Sequence, residues 1–203
     1  VFNQRHPWYG GKPIFFGEGL RTKRLISYAA SFGNHSAEEG IAPKWAARIA
    51  RFDSISVRDE NGRRLIEQGL GQDPTLVLDP CLQFPPPRVA PAPRKEGERP
   101  YLAVYGHGFA DWFVAALQGW ARTTGARLIS IGYRNDWAHE QRIEAGPDEF
   151  SALIAGADAV ATNFFHGCVF ALHHQRPFVS APSEYRFNKI RDLTTLLGAG
   201  RYV

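Results

Sequence analysis

An asparagine and a histidine stand three residues apart after a short apolar segment in the last third of the chain. Residues 157–161 are apolar without helical spacing, which predicts a strand buried on both faces of a parallel sheet. Residues 165–174 have helical spacing and predict the helix that follows. Ligands of open α/β sheets lie beyond the carboxyl ends of strands, so Asn163, His166 and Gly167 are placed to bind one. A histidine in the first helical turn can also simply cap or pack, and that alternative stays open.

An arginine is predicted at the end of another strand. Residues 54–57 indicate a brief strand, Arg58 follows it, and a helix is predicted over 62–68. A planar guanidinium binds a carboxylate or phosphate through two parallel hydrogen bonds, which a lysine cannot do. Arg58 is therefore a candidate anion ligand, with a surface ion pair to Glu60 as the alternative.

Two further strand ends carry glycine-rich loops. The strand predicted over 24–32 ends at Ser31 and Gly33, which contact a ligand or only form the turn. The strand over 101–105 is followed by Gly106, His107 and Gly108. This loop is not a dinucleotide fingerprint, because the third glycine and the ribose-binding acid are missing.

The remaining pattern divides the chain into repeated strand-loop-helix units, which predict α/β domains with right-handed crossovers. Residues 85–100 are rich in proline and charge and indicate a semi-rigid linker. The predicted boundaries are a first domain over 1–84, a linker over 85–99 and a second domain over 100–203. Helices are also predicted over 43–51, 109–123, 147–155 and 188–197, and strands over 76–80, 127–133 and 178–179. Asp79 is expected to fix the turn before Pro80.

Composition excludes several classes of protein. The chain has 203 residues, 44% hydrophobic and 22% charged, which is ordinary for a globular protein. No apolar run approaches the roughly 18 to 20 residues that span a bilayer, and no signal peptide opens the chain, so a cytoplasmic location is expected. Cys81 and Cys168 are too few for a disulfide framework or a zinc site, and no metal is implied.

The net charge of +4 is unevenly placed, because residues 1–100 hold 15 of the 24 Lys+Arg and 11 of the 20 acids. Dense basic runs with interleaved aromatics, the usual footprint of nucleic-acid binding, are missing. An anionic small substrate or a nearby membrane surface fits this distribution better.

Several of these segments together resemble the polysaccharide pyruvyl transferase family. Residues 158–172, followed by 176–179, resemble its C-terminal signature, in which a strand ends in a polar residue before an aromatic residue and His-Gly. The strings at 28–33 and 56–62 match two further family segments. The likeness covers nearly the whole chain, and Asn188 with Lys189 opens a helix similar to the family's ending.

The resemblance implies an α/β fold with two Rossmann-like doubly wound domains, similar to the GT-B glycosyltransferases. The lack of methionine and of the family's preceding strand end predicts a truncated N-terminal domain. Members transfer the enolpyruvyl unit of phosphoenolpyruvate to sugar hydroxyls, often closing a cyclic pyruvate ketal, and phosphoenolpyruvate is the donor substrate without a further cofactor. The acceptor is a saccharide. A lipid-linked acceptor and peripheral contact with the inner face of the membrane stay open.

The resemblance also assigns roles. Arg58 would bind the donor anion, and His166 would supply the group that titrates near neutral pH, the two facing each other across an interdomain cleft. The substrate-binding residues would be Ser31, Gly33, His107, Asn163, Gly167, Asn188 and Lys189. One position departs from some branches of the family, which carry Arg where this chain has Phe164.

Two alternatives stay open from the sequence. A GT-B glycosyltransferase that uses a nucleotide sugar would have the same fold class, with His166 as its base. A non-catalytic saccharide-binding module is suggested by the 13% aromatic content.

Overall fold

The computed structural model describes residues 2–6, 10–85, 87, 89–91 and 97–198. The chain forms two compact units, the first comprising Val1–Gln83 with Glu184–Gly198 and the second including Phe84–Ser183. Both units contain parallel strands and helices, which confirms the α/β class. The GT-B-like pairing of two Rossmann-like domains stays a prediction. No helix in the described part of the chain is long and apolar enough to cross a membrane.

The elements follow one another in alternating order along the chain. They are β1 (Ile26–Ala30), α1 (Pro43–Ile49), β2 (Ser54–Val57), α2 (Glu60–Leu70), β3 (Thr75–Leu76), α3 (Pro80–Gln83), β4 (Tyr101–Tyr105), α4 (Asp111–Thr124), β5 (Arg127–Ile131), β6 (Glu140–Arg142), α5 (Pro147–Gly156), β7 (Ala159–Thr162), α6 (Phe165–His173), β8 (Phe178–Ser180) and α7 (Glu184–Leu196). Short 3-10 helices lie at Pro13–Phe16 and Ala37–Glu39.

The first unit is built on a three-stranded parallel sheet in the order β1-β2-β3. Helix α2 is longer than the predicted 62–68 at both ends. Asp59 caps it, because its Oδ1 accepts from the Gly62 N–H at 2.7 Å, and Gly71 ends it with φ of 67°. The core under the sheet contains Phe2, Phe16, Phe32, Trp45, Ile49, Val57, Leu65 and Ile66, all nearly inaccessible to solvent.

The last helix differs from its prediction in start and in placement. Helix α7 begins at Glu184, four residues before its predicted start at residue 188, and it belongs to the first unit. The backbone N–H of Asn61 donates to Oδ2 of Asp192 at 3.1 Å across 131 residues of sequence. The final helix, which the sequence places in the second domain over 100–203, therefore belongs to the first unit, because it packs on α2.

The second unit holds a five-stranded parallel sheet in the order β6-β5-β4-β7-β8. The strand order reverses between β4 and β7, because the chain runs from β4 outward to β6 and then returns to β7 beside β4. Phe113, Leu117 and Ala121 of α4 pack on the sheet. Strand β6 was not predicted, because Glu140–Arg142 is a short polar edge strand without an apolar pattern.

Candidate functional site

Arg58 follows the carboxyl end of β2, as the sequence predicts, and it forms an ion pair with Asp79. Its Nη1 lies 2.5 Å from Oδ2 of Asp79, and the Asp79 side chain is only 2% exposed. Asp79 also holds its own turn, because its Oδ1 accepts from the Cys81 N–H at 3.0 Å. The turn role expected for Asp79 is confirmed, and its second role orients the arginine.

Asp59 and Ser31 lie beside Arg58 at the same end of the sheet. Burial raises the pKa of Asp59, while bonds from the Gly62 N–H and the Ser31 hydroxyl and the charge of Arg58 oppose that rise. Ser31 Oγ also accepts from the Gly33 N–H at 3.1 Å. Gly33 has φ of 67°, and a Cβ there would lie 2.5 Å from Nδ2 of Asn3. The loop of Ser31 and Gly33 is thus fixed by its own bonds and by close packing.

Lys189, on α7, lies near Arg58 and Asp59. Burial, with the charges of Arg58 and Arg186, lowers the pKa of Lys189 to about 8, and only Asp59 acts in the opposite direction. Asn188 precedes it on the helix and is half-buried. The first unit therefore brings three of the predicted site residues, Ser31, Arg58 and Lys189, near one another.

His6 lies near Lys189 and was not predicted as a site residue. Burial lowers its pKa, and the nearby charge of Lys189 lowers it further. The segment that carries His6 has no periodic pattern, so the sequence offered no signal for it. Arg186 was not predicted either, because it precedes the helix that was predicted to begin at residue 188.

Arg58 lines two cavities of the first unit. One has a volume of about 290 Å³ and also includes Ser31; the other, of about 320 Å³, includes Asp59 and Asp192. Beside the first cavity, β1 bulges at Ala29, whose φ is 50°. Ser56 Oγ accepts from the Ala29 N–H at 3.0 Å and donates to Ser27 O at 3.1 Å, which holds this unusual conformation.

In the second unit, Asn163 joins the ends of β7 and β4. Its Nδ2 donates to His107 O at 2.8 Å, and a Cβ on Gly106 would lie 2.1 Å from its Oδ1. Gly106 has φ of 148°, a conformation that favours glycine. Only glycine therefore fits between Asn163 and the end of β4.

His166 lies in the first turn of α6 and is exposed. Gly167, one residue later, packs on Thr162, because a Cβ at this position would lie 2.1 Å from Oγ1 of Thr162. The first turn of α6 contains no acid, so its dipole is not offset there by a carboxylate. The second unit thus groups His107, Asn163, His166 and Gly167 at the carboxyl end of β7.

Phe164 takes part in a cluster of rings at this end of the sheet. Its ring centroid lies 5.0 Å from that of Tyr133 and 5.4 Å from that of His107. The sequence marked Phe164 only as a departure from an arginine. Within the described residues, no group of three or more His, Cys, Asp or Glu side chains could hold a metal ion.

Comparison with known proteins supplies a family match for this chain. The family model described as polysaccharide pyruvyl transferase matches residues 3–183. No curated protein matches the chain. The family match extends across both sheets and includes Arg58, Asn163 and His166, and its members are transferases. The chain therefore belongs to the polysaccharide pyruvyl transferase family.

Proposed function

We propose that this protein transfers the pyruvyl unit of phosphoenolpyruvate to two hydroxyls of a saccharide and forms a pyruvate ketal. The observation that carries the donor assignment is the approach of Lys189 to Arg58 and Arg186 in a half-buried position. Burial, together with the charges of these two arginines, lowers the pKa of the lysine to about 8. Crowding of like charges in a half-buried place is typical of a site for a small anion with several charges. Phosphoenolpyruvate, with a carboxylate and a phosphate, is such an anion.

The reaction balances without a further reactant. The methylene carbon of phosphoenolpyruvate gains a proton and becomes a methyl group, while one sugar oxygen attacks the neighbouring carbon and loses its own proton. A second sugar oxygen then attacks the same carbon, and the bond between that carbon and the phosphate oxygen breaks. The second hydroxyl proton leaves with inorganic phosphate, and the product is a cyclic ketal that retains the carboxylate.

We assign the binding of the donor's carboxylate and phosphate to the first unit. Arg58 offers two parallel donors to a carboxylate or phosphate, and Asp79 sets the plane of its guanidinium. Lys189 supplies a compact second charge, while Ser31 and Gly33 supply a hydroxyl and a tight turn at the same strand end. Asn188 is assigned to the same ligand through its place on α7.

The second unit is assigned the proton step. His166 is exposed at the start of α6, and imidazole gains and loses a proton near neutral pH. The dipole at the start of α6 would favour negative charge on a departing or attacking oxygen, beside Asn163, Gly167 and His107.

The test measures donor binding first and turnover second. Phosphoenolpyruvate is expected to raise the melting temperature of the protein, whereas nucleotide sugars are not, and phosphate is released when a suitable saccharide is present. Stabilisation by a uridine diphosphate sugar alone would favour a glycosyltransferase instead. Binding of saccharides without any phosphate release would favour a binding module.

Arg58→Lys is the matched test of the donor contact. The variant keeps the charge and loses the bidentate fork, so the affinity for phosphoenolpyruvate is expected to fall at least about tenfold. Arg64→Lys, at an exposed arginine of α2, is the control and leaves donor binding unchanged. An unchanged Michaelis constant and turnover in Arg58→Lys would remove Arg58 from the donor site.

A further inference from the structure

Four rings meet at the carboxyl edge of the second unit's sheet. Tyr105 ends β4, and His107, Tyr133 and Phe164 follow β4, β5 and β7 by two residues each. The centroids of His107 and Tyr133 are 5.1 Å apart, and those of Tyr105 and Phe164 are also 5.1 Å apart. We call His107, Tyr133 and Phe164 the aromatic rim. His107 is exposed and the other two are half-buried, so the rim is accessible at its edge.

The rim lies where the strand order reverses, between β4 and β7. Open α/β sheets bind ligands in the crevice at such a point. Two buried asparagines make the loop under the rim rigid, because Asn135 Nδ2 donates to Gly106 O at 2.9 Å and Asn163 Nδ2 donates to His107 O at 2.8 Å. Asn163 is only 2% exposed, and its buried Oδ1 has no hydrogen-bond partner among the described residues.

The start of α6 is reserved for the reacting oxygen, and the charges on the two other helices at this end of the sheet favour a neutral ligand on the rim. Asp111 lies in the first turn of α4, and Asp148 and Glu149 lie in that of α5, where they would oppose a bound phosphate. Residues 97–183 contain no lysine. Arg134, next to the rim, pairs with Asp136 at 2.6 Å.

We propose that the aromatic rim stacks against a pyranose ring of the saccharide acceptor. The apolar C–H face of a sugar fits the flat face of an aromatic ring, and a few fixed polar groups set its orientation. The inference rests on the proposed function and names the place in the second unit that recognises the acceptor. It adds Tyr133 and Phe164 to the residues that the sequence predicted.

The test titrates methyl glycosides of glucose, galactose, mannose and N-acetylglucosamine into the whole protein by saturation-transfer NMR. At least one glycoside is expected to bind, and Tyr133→Leu weakens it about threefold to tenfold because the volume stays and the π face is lost. Tyr133→Phe keeps the ring and the affinity. Trp112→Ala is the control, because this tryptophan of α4 is 68% exposed and lies outside the rim.

The same samples are titrated with uridine monophosphate and with phosphoenolpyruvate. The proposal is overturned if no glycoside binds, if Tyr133→Leu binds as the wild type does, or if uridine monophosphate is the ligand whose binding depends on Tyr133. Where Tyr133→Leu does not fold, His107→Ala removes an exposed ring of the rim and carries the same expectation. Ring-dependent glycoside binding without any response to phosphoenolpyruvate would support the rim and contradict the proposed donor.

Discussion

Nη1 of Arg58 and Oδ2 of Asp79 lie 2.5 Å apart and join the turns that follow two neighbouring parallel strands. The Asp79 side chain is 2% exposed and that of Arg58 is 17% exposed, so water screens this pair weakly. The guanidinium is thereby oriented by the fold itself. A ligand that binds to an oriented group loses less conformational entropy than one that must order it.

Asp79→Ala should destabilise the protein and weaken donor binding together. Removing one partner of a buried ion pair leaves the other charge uncompensated and costs about 3 kcal/mol of unfolding free energy. Denaturant unfolding measures the first effect, and titration with phosphoenolpyruvate measures the second. Asp73→Ala is the matched control, because Asp73 pairs with Arg63 at 3.0 Å on the exposed surface and its loss changes neither quantity. Equal effects of the two substitutions would contradict the orienting role of Asp79.

His166→Asn should reduce turnover without weakening donor binding. Asparagine keeps a hydrogen-bonding group of similar size but cannot carry the titrating proton, and positioned proton transfer is worth about 10² to 10⁴ in rate. We expect at least about a hundredfold loss of turnover with a near-normal melting temperature. Substantial activity in the folded variant would show that His166 is structural, and His107 would be the next histidine to substitute.

Donor affinity should fall as pH rises through about 8, the pKa to which burial and the two arginines lower Lys189. A bound anion favours the charged lysine, so binding above this pH must be accompanied by uptake of a proton. The pKa of Lys189 is lower in the folded protein, at about 8, than its ordinary value of 10.5. Between these two pH values the unfolded chain binds more protons than the folded one. The contribution of Lys189 to the free energy of unfolding therefore rises with pH in this range. Calorimetric titration with phosphoenolpyruvate at several pH values measures the change in affinity.

Lys189→Met should bind the donor more weakly at low pH and lose this dependence on pH. Lys23→Met, at an exposed lysine of the same unit, should keep the wild-type profile. A profile that is unchanged in Lys189→Met would assign the titration to another group, and His6 and Asp59, which both interact electrostatically with Lys189, would be tested next.

Gly106→Ala should be much more damaging than Gly108→Ala. The new Cβ would lie 2.1 Å from Oδ1 of Asn163 at a φ of 148°, whereas Gly108 has φ of 64° and no atom within 4 Å of such a Cβ. Gly108→Ala costs about 1 kcal/mol from its backbone alone, and Gly106→Ala about 3 kcal/mol once the clash is added. Thermal unfolding of both variants measures the difference, and similar melting temperatures would contradict the close packing of Gly106 and Asn163.

The strand ends and their polar residues could be predicted from the sequence, because apolar runs, helical spacing and turn residues act over a few neighbours. Arg58 after β2 and Asn163 with His166 after β7 were located in this way. Helices α4, α5 and α6 begin and end within about two residues of their predicted bounds. The resemblance carried by the same segments predicted the family, which the match over residues 3–183 confirms.

The partners of those residues were decided by the tertiary structure. Asp79 is 21 residues from Arg58, and Asp192 is 131 residues from Asn61, and no local pattern specifies either pairing. Helix α7 belongs to the first unit because its buried face packs on α2, although it follows the second unit in the chain. The sequence therefore determined which residue types stand at the strand ends. Only the tertiary structure decided which charges lie near Lys189 and which rings surround Phe164, because these neighbours come from segments far apart in the chain.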